Sequence, residues 1–518
     1  MGYVLPETKG DSVRAMREIE RKYEVIEGLE LFDPAGMLGF DTATRPQEQD
    51  LEAVYFDTAD LRLFGAGVTL RRREGGSDAG WHLKLPVGKD SREELRLPLG
   101  CSPRRPPAEL VALVRVFTRG AVLAPVAELT THRCRWMLVD STGRSLAELV
   151  DDHVRARSMG EQTTTVAWRE VEVELGEHGQ RKLLDRIERR LLKVGVQRAG
   201  SSSKLGRLLA DRLPPGIAMP DPDARSAGEV VLAYLGAQTQ LLRRCDPLVR
   251  RDVSDAVHQM RVAARRMRSA LRAFGRVINR DETRELVAEL KWVAGELSGA
   301  RDVEVMAERF VALLAEVPDE LKLGPVDAAF TRAFERRRAD ARGVAVAALD
   351  SDRYLALHER IDALLAAPPV TTRATRKAKR ELPKSVRRAY RRVESRMVDA
   401  ERQPSGEGRD WALHETRKAA KRLRYATEAV EPALGKPAAR LRKHLKFVQD
   451  LLGEHQDAVV SRPVLRELAA QAHLAGGNGF TYGLLYAAEN ARAERAENNL
   501  PSAWKRMPTR KNTNWLKS

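Results

Sequence analysis

Between residues 50 and 175 the chain alternates hydrophobic and polar side chains in short segments that glycines separate. A hydrophobic period of two predicts β-strands, and the glycines predict tight turns between antiparallel neighbours. The predicted strands cover residues 53–56, 68–73, 81–85, 93–97, 130–139, 145–150 and 166–175, with one helix over 107–117. Beyond residue 226 the period becomes 3.6, which predicts helices throughout. The pattern therefore predicts a multidomain chain, with an α+β half before an all-α half.

The charged segment at residues 18–22 fits two structures. As a strand it places Glu18, Glu20 and Lys22 on one face. As a surface helix it pairs Glu18 with Lys22 at i,i+4. Charge runs are usually solvated faces, so these five residues alone favour the helix. The charges on the later strands reverse that preference.

The later predicted strands carry rows of one charge on one face. The basic rows pair residues two apart: Arg71 with Arg73, His82 with Lys84, and Arg133 with Arg135. On the last strand Glu170, Glu172 and Glu174 share a face, and valines take the other. A sheet that closed with these rows inward would enclose a polar bore.

Such a bore needs an occupant of matching charge, because ionised groups persist in an enclosed space only beside opposite charges. A polyphosphate bound to a divalent metal ion supplies both signs. Carboxylate oxygens select Mg²⁺ or Mn²⁺, while Arg and Lys neutralise the remaining phosphate charge. The rows therefore predict a site for a metal-bound polyphosphate.

Seven pieces in a fixed order give this half a family resemblance. They are Glu18-x-Glu20-x-Lys22, Tyr55-Phe56-Asp57-Thr58, Leu70-Arg71-Arg72-Arg73, Trp81-x-Leu83-Lys84, Arg133, Glu148 to Asp152, and Glu170-x-Glu172-x-Glu174. Over residues 15–210 the chain resembles the CYTH family, the triphosphate tunnel metalloenzymes. The resemblance implies an eight-stranded antiparallel tunnel that hydrolyses or rearranges triphosphates with Mg²⁺ or Mn²⁺.

The resemblance also implies roles for single residues. Metal would be held by Glu18, Glu20, Glu170, Glu172 and Glu174. The catalytic residues would be Glu18, Glu20, Lys22, Glu170 and Glu172. Substrate would be bound by Lys22, Arg71, Arg73, Lys84, Arg133, Asp152 and Lys204. One metal ion would orient and neutralise the triphosphate, while a second ion or a carboxylate positions water for in-line attack.

Three of these assignments have alternatives. Asp152 is preferred to Asp151 because it shares strand parity with Glu148, and Asp151 stays open. Lys204 equally fits a solvated lysine at a helix start. His82 and His132 are expected in the wall or on the surface rather than as catalytic bases.

The helical half contains an internal duplication. The segment His258-x-x-Arg261-x-x-x-Arg265-Arg266-x-Arg268 returns as His414-x-x-Arg417-x-x-x-Lys421-Arg422-x-Arg424. A second piece, residues 290–293 with Asp302, returns as residues 445–448 with Asp457. At 100° per residue each histidine shares a stripe with the cations, and hydrophobic residues take the opposite stripe.

These stripes predict anion binding. A solvated basic face normally contains glutamates that form i,i+4 pairs, and these stripes have almost none before Glu428. The repeats resemble the CHAD domain, the conserved-histidine helical domain, over residues 226–495. The resemblance implies a two-fold pseudo-symmetric helical bundle whose polyphosphate-binding residues are His258, Arg261, Arg265, Arg268, His414, Arg417, Lys421 and Arg424. Arg266, Lys418 and Arg422 lie off the stripes and are expected to be peripheral.

Charge and composition agree with a polyanionic partner. The 518 residues contain 90 Lys and Arg against 73 Asp and Glu, a formal charge of +17. The cysteines, Cys101, Cys134 and Cys245, lack metal-ligand spacing and favour a reducing compartment. With no run of about 18 apolar residues, no membrane span is predicted and a cytoplasmic location is expected. Aromatic residues make up 5% and none interleaves the stripes, so nucleic acid binding is disfavoured.

The expected organisation is a tunnel domain over 15–211, a Pro-rich linker over 212–225, a helical domain over 226–495 and a disordered tail over 496–518. The helical halves cover about 226–365 and 380–495, and the basic segment 371–392 is either a mobile loop or an additional phosphate-binding helix. The expected activity is hydrolysis of tripolyphosphate to pyrophosphate and phosphate. The alternatives are an adenylate cyclase or a thiamine or nucleoside triphosphatase on the same tunnel, or a non-catalytic polyphosphate-binding protein. Metal preference, chain length and oligomeric state stay open.

Overall fold

The structure is a computed structural model that describes residues 14–25, 42–43, 46–88, 91–100, 105–160, 163–201, 203–212, 226–506 and 513–516. The chain divides into two compact units, Met1–Gly216 and Ile217–Ser518. Except for Arg212, the linker predicted over 212–225 lies outside the described residues, as does Cys101. The two units are described separately.

The first unit is built on a closed antiparallel barrel. Its strands are β1 (Arg14–Glu24), β2 (Thr42–Ala43), β3 (Gln47–Asp57), β4 (Thr69–Glu74), β5 (Gly80–Gly88), β6 (Ser91–Leu97), β7 (Ala124–Val139), β8 (Ser145–Ser158), β9 (Thr165–Leu175) and β10 (Gln197–Arg198). Eight of them follow the order β1-β6-β5-β4-β3-β7-β8-β9, and β9 pairs back to β1. The strand interpretation of residues 18–22 is confirmed, as is the predicted eight-stranded barrel.

Helices flank these strands, as predicted for an α+β unit. They are α1 (Arg62–Gly65), α2 (Ala108–Thr118), α3 (Arg181–Lys193) and α4 (Lys204–Leu209). The helix predicted over 107–117 corresponds to α2. The outer face of β9 packs on α3, because Val171 and Val173 join Leu184, Ile187 and Leu191 in one buried cluster. Since side chains alternate along a strand, the glutamates of β9 face the barrel interior.

Helix α4 fills one end of the interior. Its first turn is capped by the Ser203 hydroxyl, which accepts a hydrogen bond of 3.0 Å from the Gly206 amide. Leu205, Leu208 and Leu209 then pack against inward-facing residues of β3, β7, β8 and β9. Apolar side chains thus occupy this end, and the charged side chains lie in the remaining length of the bore.

The second unit is helical. Its helices are α5 (Ala227–Arg250), α6 (Ala256–Ala273), α7 (Arg284–Glu296), α8 (Ser298–Ala315), α9 (Val326–Asp350), α10 (Asp352–Ala366), α11 (Ala378–Arg402), α12 (Glu407–Leu434), α13 (Lys436–Leu474) and α14 (Phe480–Lys505). The repeated segments lie on α6, α7 and α8 in the first copy and on α12 and α13 in the second. None of the helices that the structure describes has the length and apolarity needed to cross a bilayer.

The structure decides between the two alternatives for one segment of this unit and contradicts the prediction for another. The basic segment 371–392 is ordered, with turns before Ala378 and α11 beyond it. Residues 496–505, predicted as part of a disordered tail, continue α14 instead. The reason is tertiary packing: the Trp504 ring stacks on Tyr390 with 6.2 Å between centroids, and Leu500 is buried. The missing periodicity of the tail could not reveal these contacts.

The packing of α3 on the barrel yields a stability prediction. Leu191→Ala should lower the free energy of unfolding by about 2–5 kcal/mol, because this fully buried side chain leaves a cavity against β9. The neighbouring Leu192 is 49% exposed, so Leu192→Ala should cost about 0.5 kcal/mol or less. Urea unfolding of the full chain, followed by circular dichroism, measures both. Equal losses would contradict the placement of α3.

Candidate functional site

Three rows of charged residues cross the interior wall formed by β1, β9 and β8. In the first row Glu174 lies directly opposite Glu20 on one side and Glu148 on the other. In the second row Lys22 lies opposite Glu172. The third row places Glu170 opposite Asp152. Directly opposed side chains lie about 5 Å apart, so the strand register alone concentrates carboxylates on this wall.

The first row has more negative charge than positive charge. The pKa of Glu174 is raised to about 8, mainly by burial and then by the negative charges of Glu18 and Glu20. Lys84 opposes the shift, and its ammonium is engaged by Glu18 at 2.5 Å. Like charges opposed across strands are destabilising unless a cation joins them. This row therefore favours an additional cation.

The third row is already neutralised by side chains. The ammonium of Lys204 lies 2.8 Å from Asp152, 2.7 Å from Glu170 and 2.5 Å from Glu172. Arg133 donates two hydrogen bonds of 2.7 Å to the Asp152 carboxylate. Lys204 thus occupies the middle of the carboxylates instead of facing a phosphate position. It is buried, so the alternative of a solvated lysine at a helix start is wrong.

Hard oxygen donors are the ligands that Mg²⁺ and Mn²⁺ prefer, and one group of interior carboxylates brings three of them close together. Ligand oxygens of Asp152, Glu170 and Glu172 all lie within 4.8 Å of one another. A metal ion there would have to displace Lys204. In the row of Glu20, Glu174 and Glu148, Arg135 pairs with Glu148 at 2.7 Å and Lys22 lies 3.4 Å from Glu20, while Glu174 forms no ion pair among the described residues. The first group supplies convergent oxygens, and the row supplies one unpaired carboxylate.

The opposite wall, formed by β4, β5 and β6, gathers cations. Arg71 lies 4.0 Å from Glu94 and donates a 3.3 Å hydrogen bond to the Tyr55 hydroxyl. Burial, then Arg71 and Arg133, lowers the pKa of Arg73 to about 9, although Arg73 also forms an ion pair with Asp78. Like charges therefore crowd at Arg73, which favours an anion beside it.

Sequence reasoning missed several interior residues. Glu94 is fully buried and receives hydrogen bonds from Arg96 and His82 at its carboxylate, with Lys84 at 3.5 Å. The sequence contained evidence for a charged interior face here, because Arg92, Glu94 and Arg96 share one face of β6. His82 belongs to the wall: its Nδ1 faces Glu94 at 2.9 Å and its Nε2 faces the Asp78 carbonyl at 2.8 Å.

The choice between neighbouring aspartates agrees with strand parity. Asp152 faces the interior, where Arg133 and Lys204 bind it. Asp151 points to the other face and is held by Arg169 at 2.6 Å. His132 also lies outside, where it is exposed and pairs with Asp50 at 2.9 Å. The predicted interior residues of the first unit thus share one enclosed space, while Asp151 and His132 do not.

In the second unit the two predicted stripes meet. We call His258, Arg261, Arg265, Arg268, His414, Arg417, Lys421 and Arg424 the basic cluster. Helix α6 contributes the first four and α12 the others, and the opposite sides of both helices are buried. Burial, then Arg417 and Arg265, lowers the pKa of Lys421 to about 7. Because Arg265 belongs to α6, cations of both copies lie close together.

The cluster has few counter-charges. Arg261 lies 3.3 Å from Asp302, and in the second copy Arg417 lies 3.5 Å from Asp457. These equivalent pairs agree with the duplication. Arg265, Arg268 and Arg424 form no ion pair with any carboxylate that the structure describes. The cluster therefore presents an excess of positive charge.

The residues beside the stripes differ in their surroundings. Arg266 is bound by Glu428 at 2.9 Å and Lys418 by Glu415 at 2.5 Å, so both already have a carboxylate partner, and their peripheral role stays a prediction. Arg422 lies among other cations, because burial, then Arg272 and Arg392, lowers its pKa. It faces cations that sequence spacing assigned to other helices. Helix periodicity alone could not show the neighbour α11.

Comparison with known proteins gives the same division. The CYTH domain model matches residues 16–204, and the CHAD domain model matches residues 233–466. Two proteins of Mycobacterium tuberculosis, named uncharacterized protein MT2285 and uncharacterized protein Rv2226, are each 38% identical over 510 residues, which is 95% of this chain and 96% of theirs. The solved structure of PptA from Streptomyces chartreusis is 23% identical, with a TM-score of 0.45, and covers 55% of this chain and 100% of its own. The chain therefore belongs to the family, shared with the two mycobacterial proteins, in which a CYTH domain is followed by a CHAD domain.

Proposed function

We propose that the first unit hydrolyses inorganic triphosphate to pyrophosphate and phosphate, and that the second unit binds inorganic polyphosphate. One observation carries the first part. A single enclosed space holds three opposed carboxylates, Glu20, Glu174 and Glu148, on one wall and crowded arginines on another. A triphosphate with a divalent cation matches both excesses of charge at once.

Residue roles can be assigned from these positions. Glu20 and Glu174, with Glu18 beside them, would hold Mg²⁺ or Mn²⁺. When bound, such an ion neutralises phosphate oxygens and orients the triphosphate. Arg71, Arg73 and the other interior cations Lys22, Lys84 and Arg133 would bind the phosphoryl groups. Asp152, Glu170, Glu172 and Lys204 would hold Arg133 and Lys22 in position.

Attack by water fits the lining better than a covalent nucleophile. His82 has both ring nitrogens engaged, at 2.9 Å by Glu94 and at 2.8 Å by the Asp78 carbonyl. Positioning and charge neutralisation supply most of the catalysis in phosphoryl transfer, and no covalent intermediate is needed. The interior carboxylates can orient water in line with the terminal phosphorus.

An organic triphosphate is the second candidate, as a cyclase or as a thiamine or nucleoside triphosphatase. A base would stack on an aromatic ring, and the described aromatic residues of the interior have other contacts. The Tyr55 hydroxyl accepts from Arg71, and the Trp168 indole donates a 2.6 Å bond to Glu170. Both rings also pack with the leucines of α4. These contacts favour inorganic triphosphate.

The proposal for the second unit rests on uncompensated charge. Arg265, Arg268 and Arg424 have no carboxylate partner among the described residues, yet they lie beside further cations. Burying cations side by side costs free energy that a bound anion recovers. A linear polyanion can contact both copies of the stripe simultaneously.

Hydrolysis should depend on the interior carboxylates. Glu172→Gln should lower kcat for tripolyphosphate roughly 100-fold with Mg²⁺ or Mn²⁺, because it uncouples Lys22 and Lys204 from the carboxylate wall. The matched control is Glu128→Gln, which changes an exposed carboxylate paired with Arg157 outside the barrel. Phosphate release from tripolyphosphate, ATP and thiamine triphosphate gives the measurement, with tripolyphosphate expected to have the highest kcat/KM. Undiminished turnover in Glu172→Gln would contradict the role of Glu172, and no turnover in the wild type would favour a passive binder.

Polyphosphate affinity should depend on pH through Lys421. Its pKa of about 7 in the free protein means that the amine is charged below pH 7 and loses its charge above it. A bound polyanion stabilises the charged form, so affinity should fall roughly tenfold between pH 6 and pH 8. Lys421→Ala should weaken binding and flatten this profile, whereas Lys418→Ala, three residues away and paired with Glu415, should change little. Isothermal titration with long-chain polyphosphate measures the affinity at each pH. The same pH profile in the wild type and in Lys421→Ala would refute the role of Lys421.

We further propose that the second unit raises the effective concentration of substrate for the first. At subsaturating tripolyphosphate the wild type should then turn over faster than Lys421→Ala, while kcat at saturation stays the same. Lys418→Ala should match the wild type at both concentrations. Identical rates for all three proteins at low substrate would show that the units act independently.

A further inference from the structure

The helices that precede the two stripes occupy equivalent places in the duplication. Helix α5 leads into α6, and α11 leads into α12. The two begin side by side, because the amides of Ala227 and Gly228 donate to the carbonyls of Arg376, at 2.8 Å, and Ala374, at 2.9 Å. Positions along α5 and α11 can therefore be compared from this shared start.

The two helices differ in charge. Counted from Ala227 and Ala378, Arg388 of α11 corresponds to Ala237 of α5, and Arg392 corresponds to Leu241. Both arginines are exposed. Only the second copy thus carries cations at these two positions.

Arg392 adjoins the basic cluster. Helix α11 runs along α12, where the Thr416 hydroxyl donates a 3.0 Å hydrogen bond to the Arg396 carbonyl. One turn before Arg396, Arg392 lies near enough to Arg422 to contribute, after burial and Arg272, to its lowered pKa. Since Arg272 continues the stripe of α6, Arg422 lies between cations of α6 and α11, with Glu415 also nearby.

The charge continues from Arg388 to the end of α6. Burial, then Arg276 and Arg373, lowers the pKa of Arg388. The intervening loop is fixed, because the Thr371 hydroxyl donates a 2.6 Å bond to the Arg276 carbonyl. Glu381 is buried and already bound by Arg373 at 2.9 Å. Among the described residues Arg276, Arg388 and Arg392 form no ion pair with a carboxylate.

We propose that Arg276, Arg388 and Arg392 form a one-sided extension of the basic cluster, which long polyphosphate chains contact and short ones do not reach. This inference rests on the proposed polyphosphate binding by the second unit. From His258 to Arg272 the stripe of α6 is about 21 Å long at 1.5 Å per residue, so a triphosphate is accommodated within the cluster. A longer chain continues over α11, since α5 offers no arginine at the two corresponding positions. The extension gives the bound chain a single direction of exit.

The test compares two double variants of the full chain. Arg388→Ala/Arg392→Ala removes the extension from an exposed surface. Arg332→Ala/Arg336→Ala is the matched control, because these exposed arginines of α9 have the same spacing and no described ion pair. Each protein is titrated with tripolyphosphate, long-chain polyphosphate and single-stranded RNA at fixed salt. Any binding in the first unit is common to all proteins and cancels in the comparison.

The extension variant should bind long-chain polyphosphate about tenfold more weakly and with a shallower salt dependence, while tripolyphosphate affinity changes by less than about twofold. The control should stay within about twofold for both ligands. Equal weakening at both chain lengths, or an equal loss in the control, would overturn the extension alone. A loss confined to RNA would make it a nucleic acid surface and also overturn it. Failure of the wild type to bind long-chain polyphosphate would instead overturn polyphosphate binding by the second unit.

Discussion

The structure of the first unit depends on the opposition of like charges across a closed sheet. Once β9 pairs with β1 and β8, Glu174 must lie between Glu20 and Glu148 on the same face of the sheet. Two neighbouring rows escape this repulsion, because Lys22 and Lys204 lie among their carboxylates. The remaining row retains an excess of negative charge that a bound cation would balance. The barrel therefore contains one carboxylate, Glu174, whose negative charge is poorly compensated, as its raised pKa shows.

In the second unit the like charges that come together are positive, and they lie on helices. Two amphipathic helices bury their apolar sides, and their basic sides come together as a consequence of packing. Arg261 and Arg417 each keep one aspartate nearby, whereas Arg265 and Arg268 have none among the described residues. A lowered pKa at Lys421 is the physical result of this crowding. Both units thus contain unfavourable charge interactions, which the proposed anionic ligand or its metal complex would relieve.

Sequence could predict the features that depend on periodicity. Strand parity placed Glu170, Glu172 and Glu174 on one face and separated Asp152 from Asp151, and helical periodicity aligned Lys421 with Arg417. Periodicity could not predict contacts between elements distant in sequence. Lys204 lies among carboxylates because α4 enters the barrel, and Arg422 joins a cationic surface because α11 packs beside α12. Trp504 is ordered by Tyr390 for the same reason.

The two copies of the duplication are alike in their basic stripes and differ in the helices that precede the stripes. In the proposed binding of a repeating anion, the stripes of both copies would contact the same kind of phosphate unit. The helices before the stripes, α5 and α11, need not be alike. A polyphosphate chain that leaves the basic cluster at one end would contact only one of them. Arg388 and Arg392 on α11, at positions where α5 has Ala237 and Leu241, match this difference. Two copies of one fold can therefore have similar packing in their cores and different charge on the helices at their edges.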